Sequence, residues 1–488
     1  MRLFYVRMTD NRKGARRRDI QYMKETNFTE GKIASPLLKF TVPILLAILL
    51  QALYGAVDLL VVGQFGSGAA GGISATAQVS AVATGSQIMQ TVTGIVTGLT
   101  MGTTVLIGQR IGQGKPEKAA RAVGTSVLLF VALAAVLTVL MLLLARPFAH
   151  LMNAPEEAFS STVRYVAVCS AGIVFIVAYN VISGILRGLG DSKMPLVFVA
   201  IACVVNIVGD LVLVGPCGLG ATGAAIATAA AQAVSVVIGL IILRRRGLPF
   251  PFSVKNIRFN PSDTVTILRL GSPIALQDAL TSVSFLIITA IINSLGLIES
   301  AAIGVGEKIV VFIMLIPIAF MSSVSAFVAQ NIGAGKVQRA RRAMLCAMGI
   351  SLVFGVAMFV FSFFRGDILA AVFSNDDEVV AACAEYMKSY AIDCLLVCIL
   401  FCFMGYFNGC GKTLFVMIQG VAAAFLVRIP FSYFMSRRTG VTMLQIGFAS
   451  PLATLLSIIL CIIYYFVTER RSVEAAGIFP RSRHCLLR

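Results

Sequence analysis

Histidine is almost missing from this chain, at two residues in 488, and charged side chains make up only 13%. Without imidazoles a metal centre would rest on thiolates and carboxylates alone. So little charge excludes an ordinary soluble domain, in which roughly a quarter of residues are charged. The apparatus of ATP hydrolysis is missing too. Gly411, Lys412 and Thr413 look like the end of a P-loop, but the position five before Gly411 is Tyr406, which breaks the pattern. No nucleophile, base or metal constellation appears within the apolar runs, so the chain is not expected to be an enzyme. Energy for any work must then come from an ion or substrate gradient. The 11 cysteines mostly lie inside apolar runs and form no disulfide framework. Cys394, Cys398 and Cys402 share one helical face as small packing residues, and no histidine or carboxylate continues that face.

What the chain has is apolar length. The hydrophobic fraction is 58% and the mean hydropathy +0.91. Twelve runs are each long enough to cross a hydrocarbon core of about 30 Å. They lie near 37–63, 79–107, 122–145, 162–187, 194–214, 219–243, 265–294, 302–331, 341–363, 383–408, 413–435 and 442–467. The expected fold is therefore all-α and integral to the membrane. Pro43, Pro273, Pro317 and Pro430 fall inside these runs, where a proline bends or breaks a helix.

The chain also repeats itself. Residues 109–122 read QRIGQGKPEKAARA and residues 330–343 read QNIGAGKVQRARRA, with eight of fourteen positions identical at an offset of 221. GILRGLGDS from Gly184 and GYFNGCGKT from Gly405 keep that offset and share three glycines. Pro43 and Gly66 match Pro273 and Gly296 at an offset of 230. Two six-helix bundles follow: a first lobe over 32–243 and a second over 265–467, joined by a polar, basic linker at 244–264. An even number of spans per half makes both halves enter the membrane in the same direction, with a cavity expected between the lobes. The second span (Gly85, Gly94, Gly98, Gly102) and the sixth (Gly223, Ala224, Ala225, Ala227) are rich in small residues, which suits close helix packing in lipid.

A net charge of +18 would fit a nucleic-acid partner, but its placement argues against one. With the N-terminus inside, the loops carrying Arg110, Lys115, Lys118 and Arg121, then Arg187 and Lys193, then Arg244, Arg245 and Arg246, then Lys336, Arg339, Arg341 and Arg342, are all cytoplasmic. The outer loops at 64–78 and 215–218 carry no charge, 364–382 is mostly acidic, and only Arg437 and Arg438 break the trend. This is the positive-inside bias. It makes 1–31 and 468–488 cytoplasmic tails of a multi-pass membrane protein, with no role in nucleic-acid binding for Arg16, Arg17 and Arg18. The first run starts too late for a signal peptide, and Met23 would serve as a start in place of Met1.

Ionisable groups at membrane depth cost about 2.5–3.5 kcal/mol each on insertion scales and mark function by default. They are Asp58, Asp210, Asp278, Glu307, Lys308, Asp393 and Arg428. Asp58 and Asp210 stand four or five residues from the outer ends of spans running the same way, so they share a depth. Tyr54 and Asn206 lie one turn from them, and Thr228 falls in the outer half of the next span. If these groups converge, burial and mutual repulsion favour a shared proton or a small hard cation such as Na⁺, with Asn206 and Thr228 as neutral oxygen donors. Asp278, Asp393 and Arg428 form a candidate second-lobe polar cluster with Glu307, of either substrate-binding or purely structural purpose.

These residues resemble the multidrug and toxic compound extrusion (MATE) family over nearly all of 32–467. The likeness rests on the Pro43-to-Asp58 spacing, GQRIGQGK, LRGLGDSK at 186–193, and the separations of Asn206, Asp210 and Thr228. The resemblance implies that Asp58, Asn206, Asp210 and Thr228 form the first-lobe cation site of the prokaryotic branch, with Asn180 a further polar member. It implies that Pro43 is the point about which the first helix bends. It also implies a monomeric antiporter with no cofactor beyond its coupling ion, H⁺ or Na⁺, which expels organic cations or amphipathic drugs by alternating access. The alternative on the same bundle is a flippase of a lipid-linked precursor, which calls for a basic cavity open to lipid.

Overall fold

The computed structural model describes residues 28–66 and 73–475. The basic terminal stretches and part of the first outer loop, 67–72, lie outside the described residues. The helices are α1 (Ala34–Phe65), α2 (Ala75–Gly112), α3 (Pro116–Leu151), α4 (Glu156–Ala171), α5 (Ile173–Leu189), α6 (Lys193–Val214) and α7 (Gly220–Arg246) in the first half. The second half holds α8 (Pro261–Asn293), α9 (Leu297–Gly333), α10 (Val337–Ala371), α11 (Asp377–Gly409), α12 (Thr413–Ala423), α13 (Ile429–Ser436), α14 (Met443–Gly447) and α15 (Ala449–Ala475).

By length and composition there are twelve spans among the described residues if the pair α4–α5, bent by 50° at Gly172, counts as one. That bend replaces the unbroken fourth run expected from hydropathy. Gly172 stands where α7 passes so closely that an added methyl group would meet Ala229 at 2.8 Å. Helices α1, α8 and α9 continue through Pro43, Pro273 and Pro317. At Pro430 the helix instead widens into a π turn over Ala424–Arg428, just before α13. A proline lacks the N–H that would close the ladder and its ring crowds the carbonyl four residues earlier, so the turn opens. Large apolar side chains left bare on the spans, such as Leu60, Leu143, Val204 and Val353, are the surface a lipid tail solvates.

The chain divides into two compact units, the first made of Met1–Ser282, Met314–Gly349 and Met404–Met417. Within it the repeat folds against itself. Gln109 Nε2 donates to the carbonyl of Gly409 at 3.2 Å, and Gln330 Nε2 donates to the carbonyl of Gly188 at 3.1 Å. Each bond is the image of the other under the 221-residue offset. The glycines obey the same exchange: a methyl on Gly112 would strike the Gln330 carbonyl, and one on Gly333 the Gln109 carbonyl. A methyl on Gly188 would likewise meet the Thr104 carbonyl, and one on Gly409 that of Ser325, the matching position. The turns after α2 and α9 close on Gly114 (φ +66°) and Gly335 (φ +73°), left-handed positions that a side chain would strain. The phosphate-loop look of GQGK and GAGK is thus a helix C-cap plus a crossed clasp.

A strap follows the clasp. Phe28, 3% exposed, stacks on Phe327 and packs edge-on against Phe40. Arg339 donates to four carbonyls of the strap: Phe28 at 2.9 Å, Glu30 and Gly31 at 2.7 Å, and Lys32 at 3.2 Å. Lys336 takes the Thr29 carbonyl at 3.0 Å. Nearby, fully buried Asp263 receives Arg121 at 2.9 Å and Arg110 at 3.7 Å. Asp191 both holds Arg246 at 2.9 Å and accepts the first N–H groups of α6. Several loop cations counted as orientation signals therefore also tie helix ends together. Of the small residues of α2, Gly85, Gly98 and Gly102 stand at close approaches, a methyl on Gly98 meeting the Ala275 backbone of α8 at 2.6 Å, whereas Gly94 faces open space.

The second unit comprises Val283–Ile313, Ile350–Phe403 and Ile418–Arg488. Cys394, Cys398 and Cys402 are buried in it, and a methyl added at Gly355 of α10 would meet the Cys398 sulfur at 2.9 Å. The stripe is a packing surface. Among the described residues no group of three or more His, Cys, Asp or Glu could hold a metal ion.

Gly112→Ala is expected to force the clasp apart and cost about 1–3 kcal/mol by overpacking. Gly94→Ala, at a site with nothing within 4 Å, is the control that leaves the thermal midpoint in detergent unchanged. Equal midpoints for the two variants would dismiss the clasp as a structural element.

Candidate functional site

Helices α1, α6 and α7 pack side by side and bring four of the expected polar residues together. Asp58 of α1 is 4% exposed, Asp210 of α6 0% and Asn206 of α6 1%. The Thr228 hydroxyl on α7 donates to Asp58 Oδ2 at 3.3 Å, and Asn206 Nδ2 donates to Thr228 Oγ1 at 3.3 Å. The carboxyl groups of Asp58 and Asp210 adjoin one another, with the Asn206 amide beside Asp58. The close crossing has a simple cause: a methyl added at Gly209 would meet Ala227 at 2.9 Å, so only small residues fit where α6 and α7 meet.

The electrostatics of this pocket are one-sided. Asp58 Oδ1, both oxygens of Asp210 and Asn206 Oδ1 are buried and receive no hydrogen bond. Gln232, one turn after Thr228 on α7, adds a further buried oxygen without a donor, and Tyr54 adjoins its amide. A buried acceptor without a donor costs about 1–3 kcal/mol, and an ionised carboxylate more. No Lys, Arg or His forms an ion pair with either aspartate among the described residues. Oxygens that lack donors and surround two like charges fit a proton or a hard monovalent cation. Gln232 was not singled out in the sequence, although its spacing of four from Thr228 places it on the same face.

The remaining candidate residues make other contacts. Asn180 donates to the Ile176 carbonyl and accepts from Thr97 of α2 at 3.1 Å, and no hydrogen bond joins it to the aspartates. Pro43 sits inside α1 with its helix intact on both sides. Asp278, exposed on α8, belongs to the first unit, whereas Glu307, Asp393 and Arg428 belong to the second. There, Glu307 accepts from Thr289 at 2.7 Å, Asp393 is 2% exposed beside Thr454, and Arg428 covers the Phe285 ring at 4.8 Å.

The chain matches the MatE family model over residues 43–212 and 273–434, one stretch in each half. It is 28% identical over 444 residues to a "Probable multidrug resistance protein YpnP" of Bacillus subtilis (strain 168), covering 91% of this chain and 97% of that protein. It is 26% identical over 457 residues to a protein of Shewanella oneidensis named "FAD transporter", covering 90% and 96%. Its fold matches a solved outward-facing structure of a multidrug resistance MATE family transporter at a TM-score of 0.84 and 20% identity, covering 93% and 99%. With a match in both halves of a twelve-span helical membrane protein, the chain belongs to the MatE family.

Proposed function

We propose that this protein is an exporter that exchanges H⁺ or Na⁺ for organic cations or amphipathic drugs by alternating access. The observation that carries the reading is the Asp58–Asp210 pair, two buried carboxylates side by side without a counter-charge. In the state open to the outside, the pair takes up the ion and substrate leaves. Emptied toward the inside, it favours the state that accepts substrate. Coupling needs only that ion and substrate prefer different states, and the preference is reciprocal. Each charge moved across the membrane is worth about 2.3 kcal/mol per 100 mV.

Alternating access also needs an end that parts. The Gln109–Gly409 and Gln330–Gly188 bonds are suited to that role: each is a single neutral hydrogen bond, net worth about 0.5–1.5 kcal/mol. The placement of basic loops supports a cytoplasmic membrane location with both termini inside. Relatives carrying multidrug-resistance names support the export direction. The flippase alternative is weaker, because the first-unit pocket is acidic.

Two measurements test the reading. In proteoliposomes, a pH or Na⁺ gradient is expected to drive uptake of a fluorescent organic cation, and the gradient that works names the coupling ion. Asp58→Asn should reduce uptake to its no-gradient level while leaving the protein folded; full uptake by that variant ends the assignment. Separately, Asp210→Asn removes one uncompensated charge and offers Asp58 a donor. It is expected to stabilise the protein by about 1–3 kcal/mol in Na⁺-free detergent at alkaline pH, where the parent pair has lost its shared proton. Supplying Na⁺ or lowering the pH should narrow that gap, because the parent pair then acquires its own cation. A destabilised Asp210→Asn variant would show that the aspartates are already compensated.

A further inference from the structure

The strap at residues 28–32 crosses the seam between the two halves at the end that carries the clasp. It joins α1 through Ile33, so it is covalently part of the first half, yet the bonds that hold it come from the second. Phe28 N–H donates to Gln330 Oε1 at 3.3 Å, and Asn331 Nδ2 donates to the Phe28 carbonyl at 3.2 Å. Arg339 takes the carbonyls of Phe28, Glu30, Gly31 and Lys32, and Lys336 takes that of Thr29. The Phe28 ring sits against Phe40 of α1 and Phe327 of α9, one residue from each half. All of these residues lie in the first unit.

Gln330 is where strap and clasp meet. It is 1% exposed, with Nε2 on the Gly188 carbonyl of the first half and Oε1 on the strap. The two ends of an amide turn together, so the Phe28 N–H fixes the donor that Gly188 receives. The image residue Gln109 is half-buried and reaches Gly409. The duplicated motifs differ at two positions that grip the strap: Asn331 and Arg339 stand where the first copy has Arg110 and Lys118. Arginine matters at 339 because an ammonium has three donors, too few for four carbonyls, whereas a guanidinium carries five in a rigid fork. The strap turns at Gly31, whose φ of +72° strains any side chain although nothing lies within 4 Å of its missing Cβ.

We propose that the strap is a latch: gripped by Arg339, it holds Gln330 on Gly188 and keeps the clasp end shut, and the halves part there only after it lets go. Its construction suits release. The bonds to Glu30, Gly31 and Lys32 are exposed, so water takes over those carbonyls as the strap lifts. They converge on one side chain, so the strap leaves as a unit. A strap that served stability alone could be held by the half to which it belongs. The latch takes its purpose from the alternating-access reading, but its hold on the clasp end requires neither ion nor cargo.

The test uses the full chain in nanodiscs, with no ion gradient and no cargo. Spin labels carried on unnatural amino acids replace Glu117 and Gln338, exposed residues related by the 221-residue offset, and pulsed electron resonance reads the distance between them. In Arg339→Ala the ratio of long to short distances is expected to rise about tenfold over the parent, as loss of one charge-assisted hydrogen bond supplies. Arg339→Lys, which keeps the charge and loses the fork, should give a smaller rise. Gly31→Val spoils the strap's path at an exposed point and touches no clasp residue, so it should raise the ratio even if Arg339→Ala folds poorly. The proposal is overturned if Gly31→Val and the folded arginine variants keep the parent's ratio; a lower thermal midpoint with unchanged distances would make the strap a brace. Because neither gradient nor cargo is present, failure here and failure of gradient-driven uptake remain separate results.

Discussion

Two carboxylates pressed together where water does not reach are the constraint around which the first unit is organised. Coulomb repulsion between unit charges about 4 Å apart is near 1 kcal/mol in water and roughly four times that at the effective dielectric of a protein surface. Asp58 receives one hydroxyl, from Thr228, and Asp210 receives nothing. Such an arrangement is costly in isolation, yet α1, α6 and α7 hold it by packing small residues, Gly209 and Ala227, at their crossing. The proposed exchange draws on that stored cost, because a bound positive ion would relieve a penalty that the packing imposes.

The duplicated halves contribute a different kind of constraint. Each motif supplies one glutamine donor and one glycine carbonyl to the other, so the clasp has nearly two-fold symmetry although the sequences of the two halves have diverged. The glycines are retained in both copies for a reason visible in space. A methyl at 112 or 333 would meet a backbone carbonyl of the opposing motif. The strap at residues 28–32 is laid over this end and held by Arg339 and Lys336 through backbone carbonyls, so its grip depends on path and little on side-chain identity.

The second unit handles charge in another way. Where the first gathers acids without a cation, the second sets an arginine within reach of acids but not in contact with them, on a turn whose irregularity follows from Pro430. Both units leave polar groups unfinished at membrane depth. The first is incomplete in positive charge; the second is incomplete at both signs.

Much of this was legible in the residues. Apolar run length set the span number, because hydrocarbon thickness admits few alternatives. Fixed offsets exposed the duplication, and helical spacing placed Asp58 and Asp210 at one depth. The bend at Gly172, the π turn at Arg428 and the bond of Asn180 with Thr97 were not legible, since each depends on which helix crosses at that point. Gln232 was hidden for a related reason: a polar residue one turn from Thr228 belongs to a site only if its face turns inward. Periodicity is a property of one helix, so the sequence by itself determined the helices, their duplication and the depth of their charges. Which side chains meet is a property of pairs of helices, and only tertiary packing decided that the two aspartates touch while the arginine and its nearest acid do not.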